Sequence, residues 1–433
     1  MGAYAGVTTS YLLQDDTTKI APAVLKYRLW AKSKGATVLG RPTVDFNFAD
    51  NKSLVDEVSG NNLIDFARST TATYVDSDGI IKTAGVNTPR FDHDPLTGEC
   101  RGLLIEEDRT NFVSTSTPSG WSDFNRSTET TGITAPDGST DAKNYNHAGG
   151  SQNDFVYVNF STTFSTGDTY IISVFSNKLE TSVTQGGLAG GKYTALGSTQ
   201  HIQYQNGWYR HWRAYEATQD NPNITPQIVI FTSGTLSNQT LWGLQVERIN
   251  HINSFNFPTS YIPTSGQQVT RAPDLTEIDG TNFTSWYNPS ESTVYSEFNG
   301  FVTTGATGAY FGTNVNGWGL YSNSLRIANK GRTNHAPDRG TFTISDAQIS
   351  DFRGAISQSD VDGETSYAVN GNMITTDATR TGPYGLPSGD QNGMSVSAAD
   401  TGSLSQTRGS FVVRRTTYWN RRVTNSVLQR LTQ

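Results

Sequence analysis

The sequence predicts a mostly β protein, in which an N-terminal arm precedes two antiparallel β-sandwich domains in series. The first observation is composition: the 433 residues include 42 glycines and 11% aromatics, and only 16% are charged. This mixture is typical of short strands joined by tight turns. The second is a series of short alternating apolar segments separated by Gly, Asn, Asp and Pro. The third is that the composition lacks the Ala, Glu, Lys and Leu excess of long helices.

Composition also excludes several classes of protein. Cys100 is the only cysteine, so no intrachain disulfide and no cysteine-based zinc site is expected. No apolar run approaches the ~18 residues of a membrane helix, and the start has no signal-peptide pattern. The net charge of −7 disfavours a general nucleic-acid binder. We therefore expect no nucleic acid, no membrane insertion, no metal and no cofactor.

Residues 1–41 form a segment that differs from the rest in charge. Between Lys19 and Arg41 there are six basic residues and no acidic one. One hypothesis is a docking arm that meets an acidic partner through Lys26, Arg28, Lys32 and Lys34. The alternative is a solvated basic face on an edge strand, because lysine protects exposed edges from pairing. The sequence leaves both open.

Residues 42–110 are predicted to form a small β segment or connector. The clearest signal is Asp78-Gly79, which lies between Ala72–Val75 and Ile80-Ile81 and predicts a hairpin. A calcium loop at this position lacks the further ligands that such a loop needs.

Residues 111–274 are predicted to form the first sandwich. Alternation places Tyr170, Ile172 and Val174 on one face of a strand. In the strand that begins at Trp208, the same rule separates the two tryptophans from an outward set. That set contains Tyr209, His211, Arg213 and Tyr215.

Residues 275–433 are predicted to form the second sandwich. Asp362-Gly363 and Asn370-Gly371 are hairpin signals on either side of an alternating segment. Residues 424–431 predict a short helix with Thr424 or Asn425 as its cap.

Three motif groups extend over residues 42–433. The first runs Arg68-Ser-Thr70, Ala72-Thr-Tyr74, Pro89-Arg-Phe-Asp92, Gly102-Leu-Leu-Ile-Glu106 and Arg109-Thr-Asn111. The second is Leu241–Glu247, Ser260-Tyr-Ile-Pro-Thr264 and Val269-Thr-Arg-Ala-Pro-Asp274. The third is Phe283-Thr-Ser-Trp286, Tyr418-Trp419, Arg421-Arg422 and Leu428–Thr432. Together they resemble structural proteins of tailed bacteriophages that carry a carbohydrate-binding-module-like jelly roll followed by a concanavalin/laminin-G-like sandwich.

The resemblance implies a virion component, assembled in the host cytoplasm, of the tail fibre, receptor-binding or head decoration type. It implies partners among other virion proteins, reached through residues 1–41, and host cell-surface polysaccharide. It also implies a homo-oligomer. Fold alone does not settle function, so the site has to be argued from residues.

Sugar binding needs a flat aromatic surface beside hydrogen-bonding groups. Tyr209, His211, Arg213 and Tyr215 are the predicted glycan-binding residues, and the alternative is a strand with aromatic cross-strand pairs. No enzymatic site is predicted. Glu277-Ile-Asp279 begins a glycosidase pattern whose third carboxylate position is Asn282, so the pair of carboxylates that such chemistry needs is incomplete.

Three functions of different classes remain from the sequence. We expect an adhesin that binds host-surface glycan, with a head decoration or cement protein as the alternative and a polysaccharide depolymerase as the third. Outward aromatic clusters with hydrogen-bonding neighbours would favour the adhesin. Continuous apolar patches above a few hundred Å² would favour protein contacts.

Overall fold

The protein is mostly β, as the sequence predicts, in a computed structural model of the chain. The residues that the structure describes are 41–124, 128–147, 154–161, 163–185, 192–220, 223–231, 238–249, 257–288, 290–301, 308–313, 319–323, 326–328, 342–343, 352–359, 364–374, 393–395 and 410–433. The basic arm, with Lys26, Arg28, Lys32 and Lys34, lies outside them, as does the Asp362-Gly363 turn.

The strands before residue 162 are short. They are β1 (Val44–Asn47), β2 (Asp65–Ala67), β3 (Ala72–Val75), β4 (Ile81–Ala84), β5 (Arg90–His93), β6 (Cys100–Glu106), β7 (Arg109–Asn111), β8 (Ser122–Phe124), β9 (Thr128–Ile133), β10 (Ala142–Asn146), β11 (Asp154–Tyr157) and β12 (Phe160–Ser161).

The strands in the middle of the chain vary in length from two to twelve residues. They are β13 (Thr169–Ser176), β14 (Val183–Gln185), β15 (Tyr193–Gln203), β16 (Tyr209–Ala217), β17 (Asn223–Ile224), β18 (Pro226–Phe231), β19 (Asn238–Ile249), β20 (Val269–Arg271) and β21 (Leu275–Asp279).

The last strands are β22 (Glu291–Phe301), β23 (Gly308–Thr313), β24 (Gly319–Asn323), β25 (Arg326–Ala328), β26 (Phe342–Thr343), β27 (Phe352–Ser359), β28 (Glu364–Val369), β29 (Asn372–Ile374), β30 (Gly393–Ser395) and β31 (Ser410–Trp419). The described helices are α1 (Phe48–Asn51), α2 (Gly280–Thr284) and α3 (Asn425–Leu431).

The middle of the chain forms a sandwich of two antiparallel sheets. A six-stranded sheet has the order β15-β16-β13-β19-β10-β9, and a four-stranded sheet has the order β14-β18-β11-β8. Tyr170, Ile172 and Val174 of β13 pack in one core with Val156 of β11 and Ile228 of β18. The predicted shared face of β13 is therefore confirmed, and this face lies between the two sheets.

The opposite face of the six-stranded sheet is covered as well. Phe175 and Trp242 pack with Ile81 and Tyr261, which come from the first hairpin and from the segment after β19. Trp212 packs against Phe257 with ring centroids 4.6 Å apart. This sheet therefore buries apolar side chains on both faces, as a central layer does.

The other large unit combines both ends of the described chain. Its eight-stranded sheet has the order β29-β28-β27-β22-β31-β6-β5, and β1 also pairs with β31. A seven-stranded sheet runs β2-β21-β30-β23-β24-β25-β26. Ile278 of β21 packs with Val294 and Phe352 of the eight-stranded sheet, so these two sheets share a core.

Strands of residues 42–110 thus belong to the same sheets as strands of residues 275–433. β2 pairs with β21, and β6 pairs with the first half of β31 while β1 pairs with the second. The structure connects through hydrogen bonds two segments that the sequence prediction places in separate units. The boundaries at 41, 110 and 274 stay a prediction.

Three local predictions are confirmed. β3 and β4 pair across the Asp78-Gly79 turn, and β28 and β29 pair across Asn370-Gly371. Helix α3 begins after Thr424 and buries Leu428 and Leu431.

Candidate functional site

The four residues predicted to bind glycan lie on β16, between β13 and β15. Tyr209 and Arg213 are half-buried. His211 is 1% exposed and Tyr215 is 4% exposed. The expectation that all four face solvent is wrong for His211 and Tyr215.

These two side chains are buried because their face of β16 points into the sandwich. Tyr215 stacks on Tyr170, with ring centroids 5.6 Å apart, and its hydroxyl donates to the Val183 carbonyl at 3.3 Å. His211 Nε2 donates to the Lys178 carbonyl at 2.8 Å. Burial lowers the pKa of His211 to about 4. The hydrogen bond to Lys178 raises the pKa, but its effect is smaller than that of burial. His211 is therefore neutral near pH 7.

Tyr209 and Arg213 have local partners. The Tyr209 ring lies 6.0 Å from the ring of His201, whose side chain is exposed. Arg213 Nε donates to the Gly197 carbonyl at 2.9 Å, and its guanidinium lies 5.5 Å from the centroid of the Tyr215 ring. A glycan contact at Tyr209 or Arg213 stays a prediction.

A different row of aromatic side chains faces outward on the four-stranded sheet. Phe124 of β8 is 47% exposed, and Phe155 and Tyr157 of β11 are half-buried. Between them, Val156 points inward and is fully buried. Because side chains alternate along a strand, Phe155 and Tyr157 share the outer face. We call Phe124, Phe155 and Tyr157 the aromatic platform.

The platform is ordered by cross-strand pairing. Phe124 is the direct partner of Phe155 in the β8–β11 register. Their rings stack with centroids 4.6 Å apart and an interplanar angle of 11°. The Tyr157 ring follows 5.9 Å from Phe155, tilted by 58°. The three rings therefore form a continuous apolar strip on the outer face.

Hydrogen-bonding side chains adjoin this strip. Ser122 and Gln227 are the register partners of Tyr157 on the two neighbouring strands. Asn159 is exposed and accepts a hydrogen bond from Thr225 Oγ1 at 2.6 Å. Stacked rings beside amide and hydroxyl groups are the chemistry that sugar binding needs.

The aromatic platform is not evident from the sequence. The available signal was Asp154-Phe-Val-Tyr157, whose alternation places two aromatics opposite one buried valine. Phe124 lies in a three-residue strand, which is too short for periodicity to detect. The pairing of β8 with β11 is what brings the rings together.

Five residues of the first two motif groups form a buried ionic network. Arg90 and Arg68 both pair with Asp274, and Arg68 Nη1 lies 2.8 Å from Asp274 Oδ1. Glu106 Oε2 accepts from Arg90 Nη1 at 2.7 Å and forms an ion pair with Arg271 Nη1 at 2.8 Å. The side chains of all five residues are at most 2% exposed.

The network leaves the Glu106 carboxylate fully engaged. Ser260 adds two more bonds, from its backbone N at 2.7 Å and from its Oγ at 2.6 Å. Burial alone would raise the pKa of Glu106, but Arg271, Arg90 and Ser260 hold it at about 2. The carboxylate is therefore ionised near pH 7, and its contacts join the motif segments.

Other motif residues serve the same connections. Asn111 Nδ2 donates to the Ile262 carbonyl at 2.9 Å, and the Tyr261 and Ser116 hydroxyls share a hydrogen bond of 2.6 Å. Thr73 Oγ1 donates to the Tyr261 carbonyl at 2.5 Å. Hydrogen bonds of the motif residues therefore link the first hairpin and the 257–274 segment to the six-stranded sheet.

The incomplete glycosidase pattern lies at the pairing of β2 with β21. Asp65 is the register partner of Glu277 and is exposed. Burial, together with the charges of Asp279 and Asp65, raises the pKa of Glu277. Within the described residues, no group of three or more His, Cys, Asp or Glu could hold a metal ion. No described helix is long and apolar enough to cross a membrane.

No protein-family model and no curated protein sequence matches this chain. Among solved structures, the CBM40 module of Ruminococcus gnavus IT-sialidase bound to α2,6-sialyllactose has a TM-score of 0.29 and 10% identity, covering 34% of this chain and 85% of its own. A carbohydrate-binding protein of Bacteroides ovatus, described as putative, has 0.26 and 12%, covering 64% and 79%.

Trypanosoma rangeli sialidase with the inhibitor DANA has a TM-score of 0.28 and 10% identity, covering 67% of this chain and 60% of its own. Scores this low carry no argument about what this chain binds or catalyses.

Proposed function

We propose that the protein is a bacteriophage virion surface protein that attaches to host cell-surface glycan. In this proposal, residues 1–41 dock the protein to the virion, several copies assemble together, and the sandwiches face outward. The sequence motifs support the virion assignment through their resemblance to tailed-phage structural proteins. The aromatic platform supports the glycan assignment, and it is the observation on which the proposal depends.

The platform favours a glycan over a protein partner because it is narrow. It consists of three adjacent rings, two stacked and one tilted, which are bordered by Ser122, Gln227 and Asn159. The other exposed large apolar side chains of the described chain are Val55, Val86, Leu96 and Leu179, and none of them belongs to the aromatic platform. Weak binding by one platform becomes strong attachment when many copies act together.

The test measures binding of the full chain to an array of bacterial surface polysaccharides, before and after periodate oxidation of the glycans. Phe124→Ala and Tyr157→Ala each remove one ring of the platform. Because one ring contact contributes about 0.5–1.5 kcal/mol, each variant should weaken binding by about 2- to 10-fold. Leu96→Ala is the matched control, since Leu96 is 48% exposed and lies outside the platform.

Two outcomes contradict the proposal in different ways. If both platform variants bind glycan as strongly as the wild type, the glycan site lies elsewhere. Tyr209 and Arg213 would then be the next residues to alter. No binding to any polysaccharide would favour the head decoration or cement alternative, in which the platform contacts another virion protein. Release of shortened polysaccharide during the assay would instead indicate a depolymerase.

A further inference from the structure

A cavity of about 330 Å³ lies where the middle sandwich meets the rest of the molecule. Phe175 and Arg210 of the six-stranded sheet form one side, and Asp92 and Arg101 of the first β segment form another. The 257–261 segment and the beginning of β31 complete the lining. We call it the junction cavity. Its volume is at the lower end of the range for small-molecule sites.

The apolar part of the lining is aromatic. The Phe175 ring lies 6.0 Å from Tyr261 and 5.5 Å from Tyr204, in each case close to perpendicular. Phe257 adds a fourth ring. These rings offer faces and edges against which the C–H side of a small ring molecule can pack.

The polar part of the lining has unused hydrogen-bonding capacity. Asp92 Oδ1 accepts from the Val75 backbone N at 2.8 Å. A carboxylate has about four acceptor positions, so Asp92 can accept further hydrogen bonds, and Tyr204 brings a hydroxyl to the same lining. Arg101 also lines the cavity, is 30% exposed and donates to Asp94 at 2.6 Å.

Two buried polar atoms of the lining residues have no hydrogen-bond partner among the described residues. Arg210 is 6% exposed; its terminal nitrogens donate to the Thr259 carbonyl at 2.7 Å and to Ser173 Oγ at 3.1 Å, but its Nε donates to nothing. Ser410 Oγ likewise has no hydrogen-bond partner among the described residues. A buried donor left without a partner costs about 1–3 kcal/mol, so a polar ligand is favoured here.

The charges of the lining are balanced. Asp92 and Glu106 contribute two carboxylates, and Arg101 and Arg210 contribute two guanidinium groups. Glu106 is fully engaged in the ionic network, which leaves Asp92 as the acceptor available to a ligand. A balanced lining favours a neutral ligand over a charged one, since neither sign of charge is left uncompensated.

We propose that the junction cavity binds one neutral polyhydroxylated molecule of monosaccharide size, with Asp92 accepting from its hydroxyls and the Phe175–Tyr261 corner against its apolar face. This site is separate from the aromatic platform and does not depend on the glycan function proposed for it. Half-buried Asp92, Arg101 and Phe257 place part of the lining within reach of solvent.

The experiment is a ligand-observed NMR titration of the full chain with D-glucose, D-galactose, D-mannose and N-acetyl-D-glucosamine. We expect saturable binding of at least one of them with a Kd in the millimolar range. Asp92→Asn and Tyr204→Phe should each weaken it at least fivefold. Asp78→Asn, at an exposed aspartate of the neighbouring turn, should leave it unchanged.

Two further measurements separate this site from the platform and from misfolding. Phe124→Ala and Tyr157→Ala should leave monosaccharide binding unchanged, and Asp92→Asn should leave polysaccharide binding by the platform unchanged. Circular dichroism should show the same thermal unfolding transition for the Asp92→Asn and Tyr204→Phe variants as for the wild type. If one variant does not fold, the other is sufficient for the binding test. No saturable binding of any of the four sugars would overturn the proposal, as would unchanged binding by the folded variants.

Discussion

Glu106 illustrates how a single carboxylate holds distant parts of this chain together. It accepts from Arg90 and twice from Ser260, and it forms an ion pair with Arg271. Removal of a carboxylate that is buried among guanidinium groups strongly destabilises a protein, because the arginines then lose the negative charge that compensates them.

Glu106→Gln should therefore lower the free energy of unfolding by about 3–5 kcal/mol, measured by urea denaturation at pH 7. Glu99→Gln is the control: Glu99 pairs with Arg414 at 3.0 Å but is 67% exposed, so its loss should cost at most about 1 kcal/mol. Equal effects of the two substitutions would contradict the structural role of the network.

The same substitution has a defined pH dependence. The pKa of Glu106 lies at about 2 in the folded protein, below its ordinary value of 4.5. A depressed carboxyl pKa contributes stability that is present above pH 4.5 and is lost as the pH falls towards 2. The difference between the wild type and Glu106→Gln should thus shrink over that window, and a constant difference would contradict the assigned pKa.

Single residues also show where sequence reasoning reaches its limit. Alternation correctly separates Tyr209, His211 and Tyr215 from Trp212 on β16. It does not show which face is covered, and here Tyr215 faces the sandwich interior while Trp212 packs against Phe257. A pattern of period two identifies faces, whereas exposure depends on which distant segment covers each face.

Strand β6 shows how one residue type permits a pairing. Gly102 has φ +124°, in the left-handed region that favours glycine. A Cβ atom at this position would lie 2.1 Å from the Val413 carbonyl oxygen of β31. Glycine is therefore required in the Gly102–Glu106 motif because β31 approaches the backbone too closely for any side chain.

Gly102→Ala should destabilise the protein through both strain and this clash. Gly138→Ala is the matched control, since Gly138 has φ +84° but nothing within 4 Å of the added carbon. The control should cost about 1–2 kcal/mol from backbone strain, and Gly102→Ala at least ~2 kcal/mol more. Urea denaturation measures both, and equal losses would show that β31 does not approach as described.

At the element scale, the sequence predicts local structure better than partners. The Asp78-Gly79 and Asn370-Gly371 hairpins and helix α3 are confirmed because their signals lie within a few residues of one another. The joining of β1 and β6 to β31 could not be predicted, because alternation contains no information about which distant strand pairs. For the same reason the aromatic platform could not be predicted, because it depends on the pairing of β8 with β11.

The whole molecule depends on residues 42–110 for the integrity of its C-terminal sheets. These residues supply β1, β5 and β6 to the eight-stranded sheet and β2 to the seven-stranded one. They also supply Arg68, Arg90 and Glu106, the partners of Asp274 and Arg271. Without this segment, buried charges and open strand edges would remain.

A fragment of residues 111–433 should accordingly fail to give a cooperative thermal transition and should aggregate. A fragment of residues 42–433, which keeps all the described strands, should unfold cooperatively. Circular dichroism and size-exclusion chromatography measure both properties. A cooperative transition in the shorter fragment would show that residues 42–110 are a separate unit, as the sequence analysis expects of a connector.

The pairing of β1 with β31 has a consequence for the time course of synthesis. The Asp45–Arg415 ion pair joins residues 370 positions apart. At about 5–20 residues per second, about 20–70 seconds pass on the ribosome before β1 can meet its partner. During that interval β1 and one edge of β6 lack the strand with which they pair in the folded protein. A cell that produces this protein in quantity therefore has to keep the nascent chain from aggregating until its last strand emerges.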